Sequence, residues 1–258
     1  MISFTIMSDG TKIAYEAIGY GHTVLFIHGW AATRNFWNAI RDIPGLRKIL
    51  FDLRGHGESD RAKDYSMNRI LLDISELLHT LGVKELSVVG HSLGGIIATK
   101  FASSTDEFKV RDLILVATPP EVKFSRLKLL FLSFSLRFMT PLMRKTITPK
   151  MLYKPKQELL EFIWNESAKG SVGAYIKIMK AFNGVSIIED LKAIQAHKVA
   201  IIPQYDRFVS PEYQKQIYSG LCDEVIVVDE CGHNLMLEKP DEFAEILSRI
   251  LMEREKKE

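Results

Sequence analysis

Leu86-Ser87-Val88-Val89-Gly90-His91-Ser92-Leu93-Gly94-Gly95 reads as a short apolar strand running into a serine set among glycines. The strand covers Leu86 to Val89, and residues 93–103 read as a helix. A turn this sharp forces the serine into strained backbone. The positions two before and two after it must be small, because a side chain at either would clash. Such a turn lifts a hydroxyl above the edge of a sheet and sets the positive end of a helix beside it. Gly-x-Ser-x-Gly alone is common by chance. Between a strand and a helix it marks Ser92 as a nucleophile, against the alternative of a tight turn with an idle serine.

Outward from this turn, strand and helix alternate. Ser3–Ile6 and Ile13–Ala17 are apolar runs around Asp9-Gly10, a hairpin signal. Val24–Ile27 is a buried-strand run ending at His28-Gly29, and Lys48–Phe51 is another, ending in Asp52-Leu53-Arg54-Gly55-His56-Gly57. Residues 34–40 read as helix. Ser66 to Leu81 has apolar residues at Ile70, Leu71, Ile74, Leu77, Leu78 and Leu81, the helical i, i+3, i+4 pattern, stopped by Gly82. Leu113–Val116, Val199–Ile202 and Val225–Val228 read as strands, and Pro211–Ser219 and Pro240–Met252 as helices. Alternation of this kind predicts an α/β fold, a mostly parallel sheet with helices on both faces.

The rhythm breaks once. From Pro119 to Gly184 helical patterns dominate, interrupted by Pro141, Pro149 and Pro155. This predicts a core in two parts, 1–118 and 185–258, with a helical cap inserted at 119–184. The cap holds twelve Lys/Arg against four Glu, a charge of +8. The whole chain carries +2, so the remainder stands at −6. Within the cap, Arg126 to Phe138 is apolar almost all round, so it is expected to be buried or to line a cavity.

With 258 residues, 47% hydrophobic and 26% charged, the chain has ordinary globular composition, which excludes global disorder. A net charge of +2 is too balanced to argue for nucleic acid. Cys222 and Cys231 bracket a strand, too far apart for the roughly 4.4–6.8 Å Cα separation of a disulfide. Free thiols and a reducing, cytoplasmic compartment are expected. The start has no basic region before its apolar stretch, so no signal peptide is expected. The most lipid-like run, Leu129–Leu136, falls far short of the ~20 residues of a spanning helix, so no transmembrane segment is expected. No Gly-x-Gly-x-x-Gly or Walker-type loop is present. Cys231 and His233 are too few ligands for zinc. No cofactor or metal is expected.

A serine nucleophile needs a base, and seven histidines compete. His79 lies opposite the apolar stripe of its helix. His22 reads as a loop residue, and His197 as exposed before a strand. His28 and His56 sit in glycine-flanked turns suited to fixing loops. His91 adjoins Ser92, and on so sharp a turn its side chain is expected to point away. His233, in Cys231-Gly232-His233-Asn234 after the last strand, falls on the same sheet edge as Ser92 and is the expected base. Asp206, after strand 199–202 and before His233, is the expected orienting carboxylate, in the order Ser…Asp…His. Asp229 and Glu121 are weaker alternatives. The amides of Leu93 and Trp30 are the expected donors to a developing oxyanion.

Together these motifs resemble the α/β-hydrolases, the group containing carboxylesterases, lipases and pimeloyl-carrier-protein methyl ester esterases. The resemblance rests on His28-Gly29-Trp30, Asp52 to Ser59, Gly90 to Gly95, Asp206 and Gly232-His233. It implies the α/β-hydrolase fold, a Ser92–His233–Asp206 triad, and oxyanion amides from Trp30 and Leu93. Serine at position 92, where dehalogenases and epoxide hydrolases of the group carry aspartate, favours acyl transfer. Pro203 stands where the family often has glycine. The expected activity is hydrolysis of a small carboxylic ester. Carrier-protein methyl esterase, carbon–carbon hydrolase, perhydrolase and hydrolase-fold receptor are the alternatives. The basic cap makes an acidic acyl carrier protein a candidate partner.

Overall fold

The computed structural model describes residues 1–125, 127, 130 and 148–253. Eight strands form one sheet: β1 Ser3–Ile6, β2 Lys12–Ile18, β3 His22–Ile27, β4 Leu46–Phe51, β5 Glu85–His91, β6 Lys109–Val116, β7 His197–Pro203 and β8 Glu224–Val228. Their spatial order is β1-β2-β4-β3-β5-β6-β7-β8. The β1–β2 hairpin turns at Gly10, which takes the positive φ of 83° that glycine adopts freely. β2 pairs antiparallel to β4, and every later pairing is parallel. This is the mostly parallel α/β sheet that the strand–helix alternation predicts, and it agrees with the fold that the motif resemblance implies.

The described helices are α1 Met67–Thr80, α2 Leu93–Ser104, α3 Gln157–Lys169, α4 Val172–Phe182, α5 Ile188–Ala193, α6 Pro211–Tyr218, α7 Leu235–Glu238 and α8 Pro240–Glu253. Successive residues of a strand face opposite sides, and both sides of this sheet are covered. In β3, Leu25 and Ile27 join the core under α1 and α2, with Ile74, Leu77, Ile96 and Ile97. Val24 and Phe26 join the opposite core, with Trp37, Phe243 and Leu247 of the α8 side. The buried strands therefore read as unbroken apolar runs rather than alternating ones.

Several details differ from the sequence reading. Residues 34–40 are helical as read, in the form of a 3₁₀ segment kinked at the buried Trp37, which takes φ −92°, ψ 19°. His22 opens β3 instead of lying in a loop, since its neighbour across the ladder supplies backbone pairing from Leu46. Helices α5 and α7, six and four residues long, are too short to show a periodic stripe. Between 119 and 184, the described regular structure is α3, α4 and the 3₁₀ segment Thr148–Met151. At the ends of that stretch the chain returns beside itself. Glu121 bridges Ser186, and Val122 exchanges main-chain bonds with Gly184 and Val185 at 2.8 and 2.9 Å. Of the apolar run Arg126–Phe138, Leu127 and Leu130 are described, and both are exposed; the expectation for its other members lies outside the described residues. Both cysteines are free. No described helix is long and apolar enough to cross a membrane.

Candidate active site

β5 ends at His91, and Ser92 turns the chain into α2 with φ 52° and ψ −117°. This left-handed conformation is costly for a residue with a Cβ, and the surroundings hold it in place. The Ser92 N–H donates to Val116 O at 2.8 Å, tying the turn to β6. A Cβ on Gly90 would overlap Gly94, and one on Gly94 would overlap the Ile27 carbonyl of β3. The glycines are thus required by contact, not by flexibility alone. Ser92 itself is half-buried, with its hydroxyl at the carboxyl edge of the sheet.

His233 and Asp206 reach the same point from the loops after β8 and β7. His233 Nε2 lies 2.9 Å from Ser92 Oγ, and His233 Nδ1 lies 2.7 Å from Asp206 Oδ2. An ionised Asp206 can only accept, so Nδ1 carries the proton and Nε2 is left to accept from the serine hydroxyl. The other oxygen, Oδ1, accepts the amides of Phe208 and Val209 at 2.8 and 3.0 Å. Burial raises the Asp206 pKa. The facing His233 and these two amides outweigh it and hold the carboxyl below its ordinary value. Pro203, the last residue of β7, lacks an N–H. The next residue compensates, because Gln204 N–H donates to Val228 O at 2.9 Å.

The loop after β3 lies against this turn. A Cβ on Gly29 would stand 3.3 Å from the Ser92 Cβ. His28 and His56 fix the loop. His28 Nδ1–H donates to Gly29 O at 2.8 Å, and its Nε2 accepts Leu53 N–H at 3.0 Å. His56 Nδ1–H donates to Arg54 O at 3.2 Å, and its Nε2 accepts Ala31 N–H at 3.3 Å. Each bonding pattern needs a neutral ring. Burial agrees, lowering the pKa of His28 to about 4 and of His56 to about 3. The Ala31 amide is engaged, whereas the Trp30 and Leu93 amides have no acceptor among the described residues. The Trp30 ring packs beside Tyr175 of α4, with its Nε1–H donating to Tyr175 O at 3.0 Å.

Of the seven histidines, His28 and His56 fix loops as the sequence suggests and His233 lies beside Ser92, whereas His22 and the half-buried His197 open strands and His91 departs from its expected direction. Its ring does not leave the site but lies 4.9 Å from the His233 ring, and its Nε2–H donates to His233 O at 2.9 Å. Burial lowers its pKa to about 3. The weaker acid candidates do not reach His233. Asp229 is exposed, and Glu121 is bound to Lys123 and Tyr213. Sequence reasoning missed Phe208, whose ring lies 5.6 Å from His233, and Tyr175. Nothing in local periodicity marks either, because both approach the site through tertiary packing.

A model of the alpha/beta hydrolase family matches residues 24–246. Over most of its length the chain is similar to AB hydrolase superfamily protein YisY of Bacillus subtilis, at 23% identity over 253 residues, 91% of this chain and 93% of that protein. A shorter match, 33% identical over 119 residues, is to non-heme chloroperoxidase CPO-A1 of Kitasatospora aureofaciens. It covers 44% of this chain and 43% of that protein. Among solved structures, an esterase from Exiguobacterium antarcticum is similar with a TM-score of 0.87 at 26% identity, covering 96% of this chain and 98% of that one.

Proposed function

Because the chain belongs to the alpha/beta hydrolase family, we propose that it is a serine hydrolase that cleaves small carboxylic esters through an acyl-enzyme intermediate. The observation that carries this reading is the unbroken run of hydrogen bonds from Ser92 Oγ through His233 to Asp206. Ser92 Oγ attacks the acyl carbon as His233 Nε2 takes its proton. Asp206 holds the Nδ1–H tautomer and stabilises the imidazolium that forms. The Trp30 and Leu93 amides donate to the tetrahedral oxyanion. His233 then returns the proton to the leaving alcohol. Water, deprotonated by the same nitrogen, releases the acid and restores Ser92.

In this reading residues 119–184 form a cap over the site, and the protein works in the cytoplasm. The similarity to a non-heme chloroperoxidase supports a second reading on the same serine, in which hydrogen peroxide replaces water in deacylation and a peracid leaves. The +8 charge of residues 119–184 supports an acidic acyl carrier as the form in which the ester arrives.

The test is labelling with a fluorophosphonate, followed by a panel of p-nitrophenyl esters from acetate to palmitate. Covalent modification at Ser92 and rapid multiple turnover are expected. No labelling, or one slow acylation without turnover, overturns the hydrolase reading. Addition of peroxide separates the second reading. For a carrier-linked ester, kcat/KM should fall steeply between about 0.01 and 0.5 M salt, while a neutral ester barely changes.

A further inference from the structure

Glu238 ends the short helix α7, five residues beyond His233. Its carboxylate receives main-chain N–H groups from two separate parts of the chain. Gly232 N–H donates to Oε1 at 2.8 Å, and Tyr153 N–H donates to Oε2 at 2.7 Å. Gly232 directly precedes His233. Tyr153 follows the 3₁₀ segment Thr148–Met151 and belongs to the stretch between β6 and β7, outside the sheet. One carboxylate therefore bridges the histidine loop and a segment that the sheet does not hold.

Two further contacts join the same pieces. Asn234 N–H, just after His233, donates to Met151 O at 3.3 Å. A Cβ on Gly232 would fall 2.7 Å from Tyr153 N and 2.8 Å from the Leu152 carbonyl carbon, so the two backbones touch directly. The Tyr153 ring also stacks on Tyr205, the neighbour of Asp206, with centroids 4.3 Å apart.

Glu238 forms no ion pair among the described residues. Burial pushes its carboxyl above the ordinary value, although the amides of Tyr153, Gly232 and Lys154 pull it down. Holding a partly desolvated carboxylate without a cation is costly. The return on that cost is geometric, because two oxygens fix two amides at a set separation.

We propose that Glu238 is a positioning residue that couples the seating of segment Met151–Lys154 to the placement of His233 against Ser92. When the segment is seated, both carboxylate oxygens are engaged and the Gly232–His233 backbone is locked. When it lifts, the carboxylate loses one anchor and the imidazole loses its fixed distance to Oγ. The inference rests on the serine-hydrolase reading of the site.

The experiment compares wild type with Glu238→Ala and Glu238→Gln. Gln preserves volume but has one acceptor oxygen, and its amide faces an N–H donor where the second oxygen stood. Fluorophosphonate labelling of Ser92 reports serine activation without any choice of ester, and kcat and KM are measured on a short p-nitrophenyl ester. Both variants should label, and turn over, about 10- to 100-fold more slowly, the range that a displacement near 1 Å costs. KM should change less than about twofold, and the protein should stay folded at assay temperature with an unfolding midpoint lowered by several degrees, because two amides lose an acceptor. A folded Glu238→Gln protein that labels at the wild-type rate overturns the coupling, since one anchor would then suffice. A rise in KM at unchanged kcat also overturns it. An unlabelled wild type instead overturns the serine-hydrolase reading, and the coupling falls with it.

Discussion

Two clusters of serine, histidine and aspartate lie on the one sheet, at opposite ends of its strands. At the carboxyl end, Ser92 meets His233, which meets Asp206. At the amino end, the first residue of β3, His22, lies 2.7 Å from Ser87 Oγ, and Ser87 donates its proton directly to Asp112 of β6. Arg111 Nε donates to the same carboxylate at 3.1 Å, and His197 stands 3.4 Å away. The residue types match, but the order of bonding does not. In the first cluster the histidine lies between serine and carboxylate, so in the proposed reaction a proton leaving the serine passes to the imidazole. In the second the serine proton is already committed to the carboxylate, and His22 can only donate to the oxygen. Backbone completes the contrast. Ser92 projects from a left-handed turn at the sheet edge, whereas Ser87 is fully buried inside a strand. Composition does not make a nucleophile; bonding order and backbone conformation do.

The largest expected effect tests the serines. Ser92→Ala should lower hydrolysis on the order of 10³- to 10⁶-fold in a folded protein. Ser87→Ala should leave kcat/KM within about threefold, and should cost roughly 1–3 kcal/mol of stability because Asp112 and His22 lose a buried partner. Labelling at Ser87, or a Ser92→Ala protein with a tenth of wild-type activity, would erase the distinction. The carboxylates give the next contrast. Asp206→Asn should reduce kcat by about 10⁴, the scale of losing the correct histidine tautomer. Asp112→Asn should act on the unfolding midpoint in urea and not on kcat.

The last contrast concerns protons. His28, His56 and His91 crowd the carboxyl end with pKa values lowered by burial to about 4, 3 and 3. The unfolded chain takes up protons near the ordinary value of ~6.5, while the native protein refuses them until well below it. Their contribution is therefore complete above pH 6.5 and is lost as the pH falls toward the native values. Between pH 6.5 and 5 each histidine should cost about 2 kcal/mol of stability. Urea midpoints at pH 7 and 5 measure the sum. Equal midpoints would mean that these rings are protonated in the native state.

Ser92, His233 and Asp206 are legible in the sequence because each follows a strand of a parallel sheet, and topology alone delivers such residues to one edge. The local clash rule does the same for Gly90 and Gly94. What escapes the sequence is fixed by contacts between remote segments. The His91 ring turns back under His233 because the His233 carbonyl, 142 residues away, accepts its proton. The Gly232 amide finds Glu238 nearby, but the second amide comes from Tyr153, which no spacing rule associates with it. The amino-end cluster is hidden for the same reason: His22, Ser87, Asp112 and His197 meet through strand order, and that order is not the order of the chain.

The close approach of β3 to the Ser92 turn also bears on how such an enzyme could diversify. Beneath the serine, Gly29, Gly90 and Gly94 touch neighbouring atoms so closely that one added methyl would collide. That floor is closed to inherited change, whatever the substrate. Trp30 and Phe208 stand beside Ser92 and His233 with part of their surfaces open, and Tyr205 adjoins Asp206 in the same way. Adaptation to new esters would accumulate in those walls, leaving a reactive centre of fixed geometry beneath a variable enclosure.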